Sequence, residues 1–243
     1  MINVRTRLKE LITRESLLLS VLVLMGAAGW LFIEIQDEVR EGDMLNFDER
    51  ILLLFRVPDA PERLRGPDGL EYVVRDLTAL GGTAVLTLLV LGVAGFFLLR
   101  RQFQPLVLML TTVIGGTLLM AALKNFYARP RPELIPRLMD EHSHSFPSGH
   151  STMATVVYLT LAVMVAAFQE QRRMRVYIVG FGALLAGLIG LTRVMLGVHY
   201  PSDVAAGWTL GVVWALLGWL VAQWLKRRRP GLEASADPEV DYQ

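Results

Sequence analysis

Cysteine is absent from the 243-residue chain, and histidine is scarce. The lack of cysteine excludes disulfide bonds, thiolate nucleophiles and cysteine-based metal sites. Histidine occurs at only four positions, which are His142, His144, His150 and His199. Any imidazole chemistry must therefore come from these four side chains.

Charged residues are also sparse, at 19% of the chain, and their signs nearly cancel, with 24 Lys and Arg against 23 Asp and Glu. Such a balance provides no electrostatic basis for binding nucleic acid, so no nucleic-acid partner is expected. Hydrophobic residues make up 53% of the chain, which is more than soluble domains usually contain. The placement of the few charges is therefore the informative feature.

Six long stretches contain no acidic or basic residue at all: 17–33, 80–99, 105–123, 151–168, 176–192 and 204–225. Crossing the roughly 30 Å apolar core of a bilayer takes about 20 apolar residues in a helix. The alternative, a large soluble helical core, is disfavoured because these helices would have no polar face to present to water. The sequence predicts an all-α, polytopic membrane protein with six transmembrane helices in one domain, 1–229.

The first stretch follows a basic leader and could be read as a cleaved signal peptide. It is longer than a usual signal core, however, and no strong A-x-A cleavage site follows it. An uncleaved first helix is therefore expected.

Basic residues cluster in the amino-terminal tail and in the segments 100–101, 172–175 and 226–229. The positive-inside rule places these on the cytoplasmic side, so both termini are expected inside and the segments 34–79, 124–150 and 193–203 outside. Within 34–79, the run 51–55 is too short to span and is expected to lie at the interface or cap the bundle. The polar, aperiodic tail 230–243 is predicted to be disordered.

The first polar cluster follows the third stretch and contains Lys124, Arg129 and Arg131, with Pro130 and Pro132 between and after the arginines. Prolines stiffen the chain, and arginine binds phosphate oxygens through two N–H groups. The alternative is that these side chains only extend to the lipid headgroups.

The second cluster, Phe146 to His150, immediately precedes the fourth stretch. Ser148 is a good N-cap residue, and Gly149 allows a ligand to approach the backbone. Free N–H groups at a helix start attract anions, and His150 in the first turn can donate a proton. A plain capped helix with an interfacial histidine is the alternative.

The third cluster joins the last two stretches and contains Arg193, His199 and Asp203. His199 and Asp203 are four residues apart, so one helical turn can bring them together. A carboxylate on one ring nitrogen orients the imidazole and leaves the other nitrogen free to attack. The alternative is that Asp203 caps a helix and His199 contacts headgroups.

All three clusters fall on the predicted outer side. Together they provide cationic side chains, a helix start and two histidines, which are the groups that phosphoryl transfer requires. Three unrelated alternatives would have to coincide on one face to produce the same set.

These residues resemble the signature of the type 2 phosphatidic acid phosphatase superfamily, which also includes glucose-6-phosphatase and the vanadium haloperoxidases. Its pattern is Lys-x6-Arg-Pro, then Pro-Ser-Gly-His, then Ser-Arg-x5-His-x3-Asp. The segments 124–132, 147–150 and 193–203 match these three motifs in order, and Thr192 replaces the serine before Arg193. The motifs cover about 80 residues, and the six-helix layout extends the likeness over most of the membrane region.

The resemblance implies a role for each matched residue. His199 would attack phosphorus and form a phosphohistidine, oriented by Asp203, and His150 would protonate the leaving oxygen. The phosphate would be held by Lys124, Arg131, Ser148, Gly149 and Arg193. Water would then hydrolyse the intermediate.

No metal or cofactor is expected. His142 and His144, with Glu141, suggest a metal site, but a short His-x-His without a further well-placed ligand is a weak pattern. Arg129 matches no signature position and is expected to add to a positively charged funnel at the site.

A lipid phosphatase in the plasma membrane is the expected function, with its active site outside and the bilayer and a phospholipid or polyprenyl phosphate as partners. The expected substrates are undecaprenyl diphosphate first, then phosphatidylglycerol phosphate or phosphatidic acid. A phosphotransferase using the same phosphohistidine is the alternative. A transporter or scramblase is disfavoured because the stretches contain only hydroxyls and Gln223 as polar groups.

Overall fold

The structure, a computed structural model, describes residues 4–228, so the predicted disordered tail lies outside the described residues. Eight helices and one two-stranded sheet follow in order: α1 Val4–Glu41, α2 Leu45–Leu54, β1 Arg56–Val57, β2 Ala60–Leu64, α3 Leu70–Ala79, α4 Thr83–Leu99, α5 Phe103–Tyr127, α6 Gly149–Ala166, α7 Arg172–Met195 and α8 Pro201–Arg228. Within residues 4–228, the expected all-α fold is correct except for this small sheet.

Among the described residues, five helices are long and apolar enough to cross a membrane, and a sixth span exists if α3 and α4 count as one bent unit. The axes of α3 and α4 differ by 44° at a break around Gly81 and Gly82. The second predicted stretch, 80–99, therefore starts its helix only at Thr83, and α4 has 17 residues. Large apolar side chains such as Leu19, Leu88 and Phe126 are exposed on these helices, as lipid contact requires.

Helix α6 lies at the centre of the bundle, where it packs against α5, α7 and α8. Its contact with α8 is close because α8 presents glycine. A Cβ at Gly207 would lie 2.9 Å from the carbonyl oxygen of Ser148, and a Cβ at Gly211 would lie 2.6 Å from Cβ of Thr155. Small residues four apart are a common means of bringing membrane helices together.

The segment 42–82 covers one end of the bundle and has more regular structure than the predicted loop with one interfacial helix. Residues 34–41, expected in that loop, extend α1 instead. Helix α2 contains the predicted run 51–54, and β1 and β2 form an antiparallel hairpin. Leu52 of α2 is fully buried in a cluster with Ile135, Val194 and Tyr200, so the segment is anchored by apolar packing. We call the covered end, where α5 and α7 end and α6 and α8 begin, the site end.

Candidate active site

The three polar clusters meet at the site end around a cavity of about 770 Å³. Five of the eight predicted site residues line it: Lys124, Arg131, Gly149, His150 and His199. The other three, Ser148, Arg193 and Asp203, are fully buried and are not part of its lining. Away from the polar end, the cavity wall consists of side chains from α4, α5 and α6, including Leu86, Ile114 and Val157.

His199 lies in the short connection between α7 and α8 and is 1% exposed. Its Nε2 lies 3.2 Å from Nη1 of Arg131. A guanidinium only donates hydrogen bonds, so Nε2 must be the unprotonated nitrogen and Nδ1 must carry the proton. Nδ1 lies 3.4 Å from Oδ2 of Asp203, slightly beyond ordinary hydrogen-bond length. The predicted pairing four residues apart is therefore present, with Nε2 next to the cavity.

The environment of His199 keeps its imidazole neutral. Burial lowers the pKa of His199 to about 4, opposed by Asp203 and assisted by Arg131 and Arg193. At neutral pH Nε2 is therefore unprotonated, as a nucleophile requires.

Asp203 has a dense set of donors. Its Oδ1 accepts a hydrogen bond of 2.6 Å from Nη1 of Arg129, and its Oδ2 accepts one of 2.9 Å from the backbone N–H of Tyr200. The hydroxyl of Ser145 also donates to Oδ2. The carboxylate is therefore held in one orientation, which fixes the side of His199 that faces the cavity.

The predicted contribution of Arg129 to a positive funnel is wrong. Both of its terminal nitrogens pair with carboxylates, those of Asp203 and Asp48, at 2.6 and 2.9 Å. The residue does not line the cavity. Sequence spacing did not indicate this pairing because Asp48 is 81 residues away along the chain.

Arg131 and Arg193 are held by other groups. Arg131 donates through Nε to the carbonyl of Ser143 at 2.7 Å and through Nη1 to the carbonyl of Val198 at 2.7 Å. Arg193, in the last turn of α7, donates to the hydroxyl of Thr78 at 3.1 Å. The segment 42–82 thus contributes to the site through Thr78, which the sequence did not predict.

Glu141 lies in the cavity wall between these two arginines. It forms an ion pair with Arg193 and lies 3.5 Å from Nη2 of Arg131. Burial opposes ionisation, but Arg193 and Arg131 outweigh it and lower the pKa of Glu141. A carboxylate therefore occupies the place where two arginines converge, which is a position suited to an anion.

Within residues 4–228, no group of three or more His, Asp or Glu side chains, Glu141, His142 and His144 included, is arranged to hold a metal ion.

The second cluster forms the start of α6. Ser148 is the predicted N-cap, and its hydroxyl accepts from the N–H of Ser151 at 3.4 Å. The N–H of Ser148 donates to the carbonyl of Asp203 at 3.0 Å, so the starts of α6 and α8 are joined. A Cβ at Gly149 would lie 3.5 Å from Cε of Lys124.

His150 lines the cavity beside the break between α3 and α4. A Cβ at Gly81 would lie 3.4 Å from Cδ2 of His150 and only 2.3 Å from Cγ2 of Ile189. Glycine at this position therefore allows the chain to approach His150 closely. In the sequence, this close approach to His150 is indicated only by the adjacent glycines Gly81 and Gly82.

The arrangement therefore combines a neutral, oriented imidazole with a second histidine, three cationic side chains and the start of a helix around one cavity. These groups can neutralise the oxygens of a phosphate and attack its phosphorus.

The chain is similar to known phosphatases. The family model of the PAP2 superfamily matches residues 105–227. The chain is 37% identical over 150 residues to phosphatidylglycerophosphatase B of Bacillus subtilis, covering 59% of this chain and 71% of that protein. It is 33% identical over 190 residues to lipid A 1-phosphatase of Rhizobium etli, covering 68% and 76%.

The fold is also similar to a solved structure. The crystal structure of a transmembrane PAP2-type phosphatidylglycerolphosphate phosphatase from Bacillus subtilis superimposes with a TM-score of 0.72 at 28% identity. The match covers 84% of this chain and 98% of that one. The chain therefore belongs to the PAP2 superfamily and is a multi-pass membrane lipid phosphatase of the PAP2 type.

Proposed function

We propose that the protein hydrolyses a lipid phosphate through a phosphohistidine on His199. Nε2 of His199 attacks phosphorus, the P–N bond forms, and the bond to the lipid oxygen breaks. His150 gives a proton to that leaving oxygen. A water molecule then gives a proton to His150 and attacks phosphorus. The P–N bond breaks, inorganic phosphate is released and the imidazole of His199 returns to its neutral state. The observation that carries the proposal is the position of Nε2, unprotonated and beside Arg131 at the cavity, with Nδ1 directed to Asp203.

Charge on the phosphate oxygens would be neutralised by Lys124, Arg131 and Arg193, assisted by the N–H groups at the start of α6. Gly149 would allow the phosphate to approach those groups. Ser148 contributes by capping α6, because its hydroxyl and its N–H are already engaged with Ser151 and Asp203.

Binding of the phosphate also requires Glu141 to move away from its arginines. Its carboxylate pairs with Arg193 and Arg131, two of the three cations of the proposed clamp. Phosphate and carboxylate would therefore compete for the same N–H groups, and the substrate displaces Glu141 as it binds.

Apolar side chains of α4, α5 and α6 line the remainder of the cavity, and this wall suits an acyl or prenyl chain. Phosphatidylglycerol phosphate is the first candidate substrate, because the phosphatidylglycerophosphatase relative and the similar crystal structure both carry that activity in their names. Undecaprenyl diphosphate, which the sequence analysis expects first, and phosphatidic acid remain predicted substrates. Phosphate release from each lipid tests all three.

We further propose that the site opens to the outer face of the plasma membrane, with both termini in the cytoplasm. The support is charge: Arg100, Arg101, Arg172, Arg173 and Arg175 all lie at the end of the bundle opposite the site end. Positive charge is favoured on the cytoplasmic side.

The test is phosphate release from a panel of lipid mono- and diphosphates by the purified protein, with His199→Ala beside it. We expect His199→Ala to lose activity by several orders of magnitude, as removal of a nucleophile does. The matched control is His142→Ala, which removes an imidazole from the cavity wall but none of the proposed chemistry, and it should stay active. When the reaction with a lipid labelled in its phosphate is quenched at alkaline pH, the parent protein should carry an acid-labile label on histidine. The His199→Ala variant should carry no such label. Full activity of His199→Ala on every lipid would disprove the mechanism.

A further inference from the structure

Asp48 of α2 is completely buried, although it belongs to the segment 42–82, outside the membrane bundle proper. An ionised carboxylate loses several kcal/mol of hydration on burial unless it is paired and hydrogen-bonded. Burial raises the pKa of Asp48, while Ser202 and Arg129 act in the opposite direction. None of the proposed steps of phosphoryl transfer involves this carboxylate, so its burial needs another explanation.

The side-chain contacts of Asp48 lead to the start of α8 and to Arg129. Its Oδ1 accepts from the backbone N–H of Ser202 at 2.9 Å, and its Oδ2 accepts from the Ser202 hydroxyl. Oδ2 also accepts from Nη2 of Arg129 at 2.9 Å. Ser202 immediately precedes Asp203, so Asp48 holds both the residue beside the catalytic carboxylate and the arginine that binds it.

Arg129 spans the two carboxylates with its planar fork. Nη2 binds Asp48, and Nη1 binds Oδ1 of Asp203 at 2.6 Å and the Ser202 hydroxyl at 2.8 Å. The guanidinium also lies 4.3 Å from the ring centre of Tyr200, within cation–π range. A rigid fork with all these partners has only one orientation.

The consequence for Asp203 is geometric. Arg129 occupies Oδ1, so Oδ2 is the oxygen that faces Nδ1 of His199. If Asp203 rotated, Nδ1 would lose the carboxylate that orients the imidazole. We propose that Asp48 and Arg129 are positioning residues. Asp48 holds the guanidinium of Arg129 in place, and Arg129 orients the carboxylate of Asp203 toward His199.

This inference rests on the proposed function, since it assigns the pair to the same nucleophile. It also predicts an electrostatic effect. Arg129 offsets part of the charge of Asp203, and Asp203 stabilises protonated His199. Removing the guanidinium would therefore raise the pKa of His199, and the neutral nucleophile would be lost at a higher pH.

The experiment compares Asp48→Asn, Arg129→Lys and Arg129→Gln in the full-length purified protein. Mutating a residue that orients a metal ligand through a hydrogen bond typically costs about 10–100-fold in metal affinity or activity. We expect losses of kcat of similar size for these variants, with KM within about threefold of the parent value. Arg129→Lys keeps the charge but cannot bridge two carboxylates, so it should rescue the pH profile but not kcat. With Arg129→Gln the acidic limb of kcat/KM should move to higher pH.

A double variant separates positioning from independent contributions. If Asp48 acts through Arg129, then Asp48→Asn combined with Arg129→Gln should lose no more kcat than Arg129→Gln alone, because residues of one network are not additive. The matched controls are Asp43→Asn and Arg50→Lys, exposed residues of the same region, which should leave kcat unchanged.

Each outcome decides one question. Full kcat in Asp48→Asn and Arg129→Lys together with an unchanged pH profile in Arg129→Gln, while His199→Ala is inactive, would overturn this inference and leave the proposed function standing. Activity in His199→Ala would overturn the proposed function itself. If neither conservative variant yields folded protein by size-exclusion chromatography, the pair is structural support and the positioning role is wrong.

Discussion

At the residue scale, carboxylates balance the arginines of the site. Glu141 pairs with Arg193, and Asp203 pairs with Arg129. A cluster of arginines without counter-charges would repel itself in a poorly hydrated site. The carboxylates therefore stabilise the site before a phosphate binds. They also determine which cationic side chains are available to bind the phosphate.

The free enzyme should remain active at mildly acidic pH, where an ordinary histidine would be protonated. Attack requires neutral His199, and burial lowers its pKa to about 4. Activity is therefore present above that pKa and is lost as the pH falls through it. The measurement is kcat/KM against pH from about 3.5 to 8, which reports the free enzyme's groups.

An acidic limb of kcat/KM at the ordinary histidine pKa of about 6.5 would contradict this account of the His199 environment. Arg129→Lys serves as the comparison, because it retains the charge beside Asp203. Protein recovered from each acidic buffer should regain full activity at neutral pH, which separates titration from denaturation.

At the element scale, the α6–α8 contact determines whether the second and third clusters meet. The glycines of α8 allow α6 to approach, and the backbone bond from Ser148 to Asp203 forms at this contact. Helix association inside a bilayer depends on such close packing, because lipid is as apolar as the side chains.

Gly211→Ala should destabilise the protein and lower its activity. The new Cβ would lie 2.6 Å from Cβ of Thr155 and 2.9 Å from the carbonyl oxygen of Thr152. The latter is backbone, so α8 itself must shift, and overpacking of this kind costs about 1–3 kcal/mol. Thermal unfolding in detergent and phosphate release are the measurements.

Gly187→Ala in α7 is the matched control for Gly211→Ala, because a Cβ there would have no neighbour within 4 Å. Alanine also favours helix over glycine by roughly 0.5–1 kcal/mol, so this variant should be at least as stable as the parent. Equal melting temperatures for the two variants would show that the α6–α8 contact tolerates a methyl group.

At the scale of the whole molecule, charge is distributed asymmetrically between the two ends of the bundle. Basic residues for which the described residues 4–228 show no ion pair lie in the connection between α4 and α5 and in the first turn of α7, while the site end carries a largely buried network of both signs. Clustered basic residues are typical of the cytoplasmic side of a membrane protein. The network at the site end contains the side chains proposed to carry out phosphoryl transfer.

Single cysteines at Asp59 and Glu170 should react from opposite sides of the membrane. The chain has no cysteine of its own, so labelling reports only the introduced thiol. Both positions are exposed, the first in the hairpin over the site end and the second between α6 and α7. We expect an impermeant maleimide added to intact cells to label Asp59→Cys, and Glu170→Cys only after permeabilisation. The reverse pattern would invert the proposed orientation.

Much of the fold was predictable because a bilayer restricts the solutions. Uncharged stretches of sufficient length must be helices that satisfy their own backbone groups, and their approximate bounds agree with α1 and α5 to α8. The break at Gly81 and Gly82 was not predicted from hydropathy, since the stretch is apolar on both sides of it. Helix α2 contains the run 51–54 that the sequence singled out, but its burial against Ile135 and Val194 and the adjacent hairpin were not predicted, because both depend on tertiary packing.

By itself the sequence determined the apolar spans, the N-cap at Ser148 and the spacing of His199 and Asp203, because each depends on neighbours within about one helical turn. Only the tertiary structure decided that Arg129 binds Asp203 and Asp48 rather than facing the cavity, and that Glu141 lies between Arg131 and Arg193. The physical reason is that an ion pair between distant residues forms where burial makes an unpaired charge costly. The free-energy cost of leaving such a charge unpaired depends on which helices pack together. It therefore cannot be inferred from any local sequence pattern.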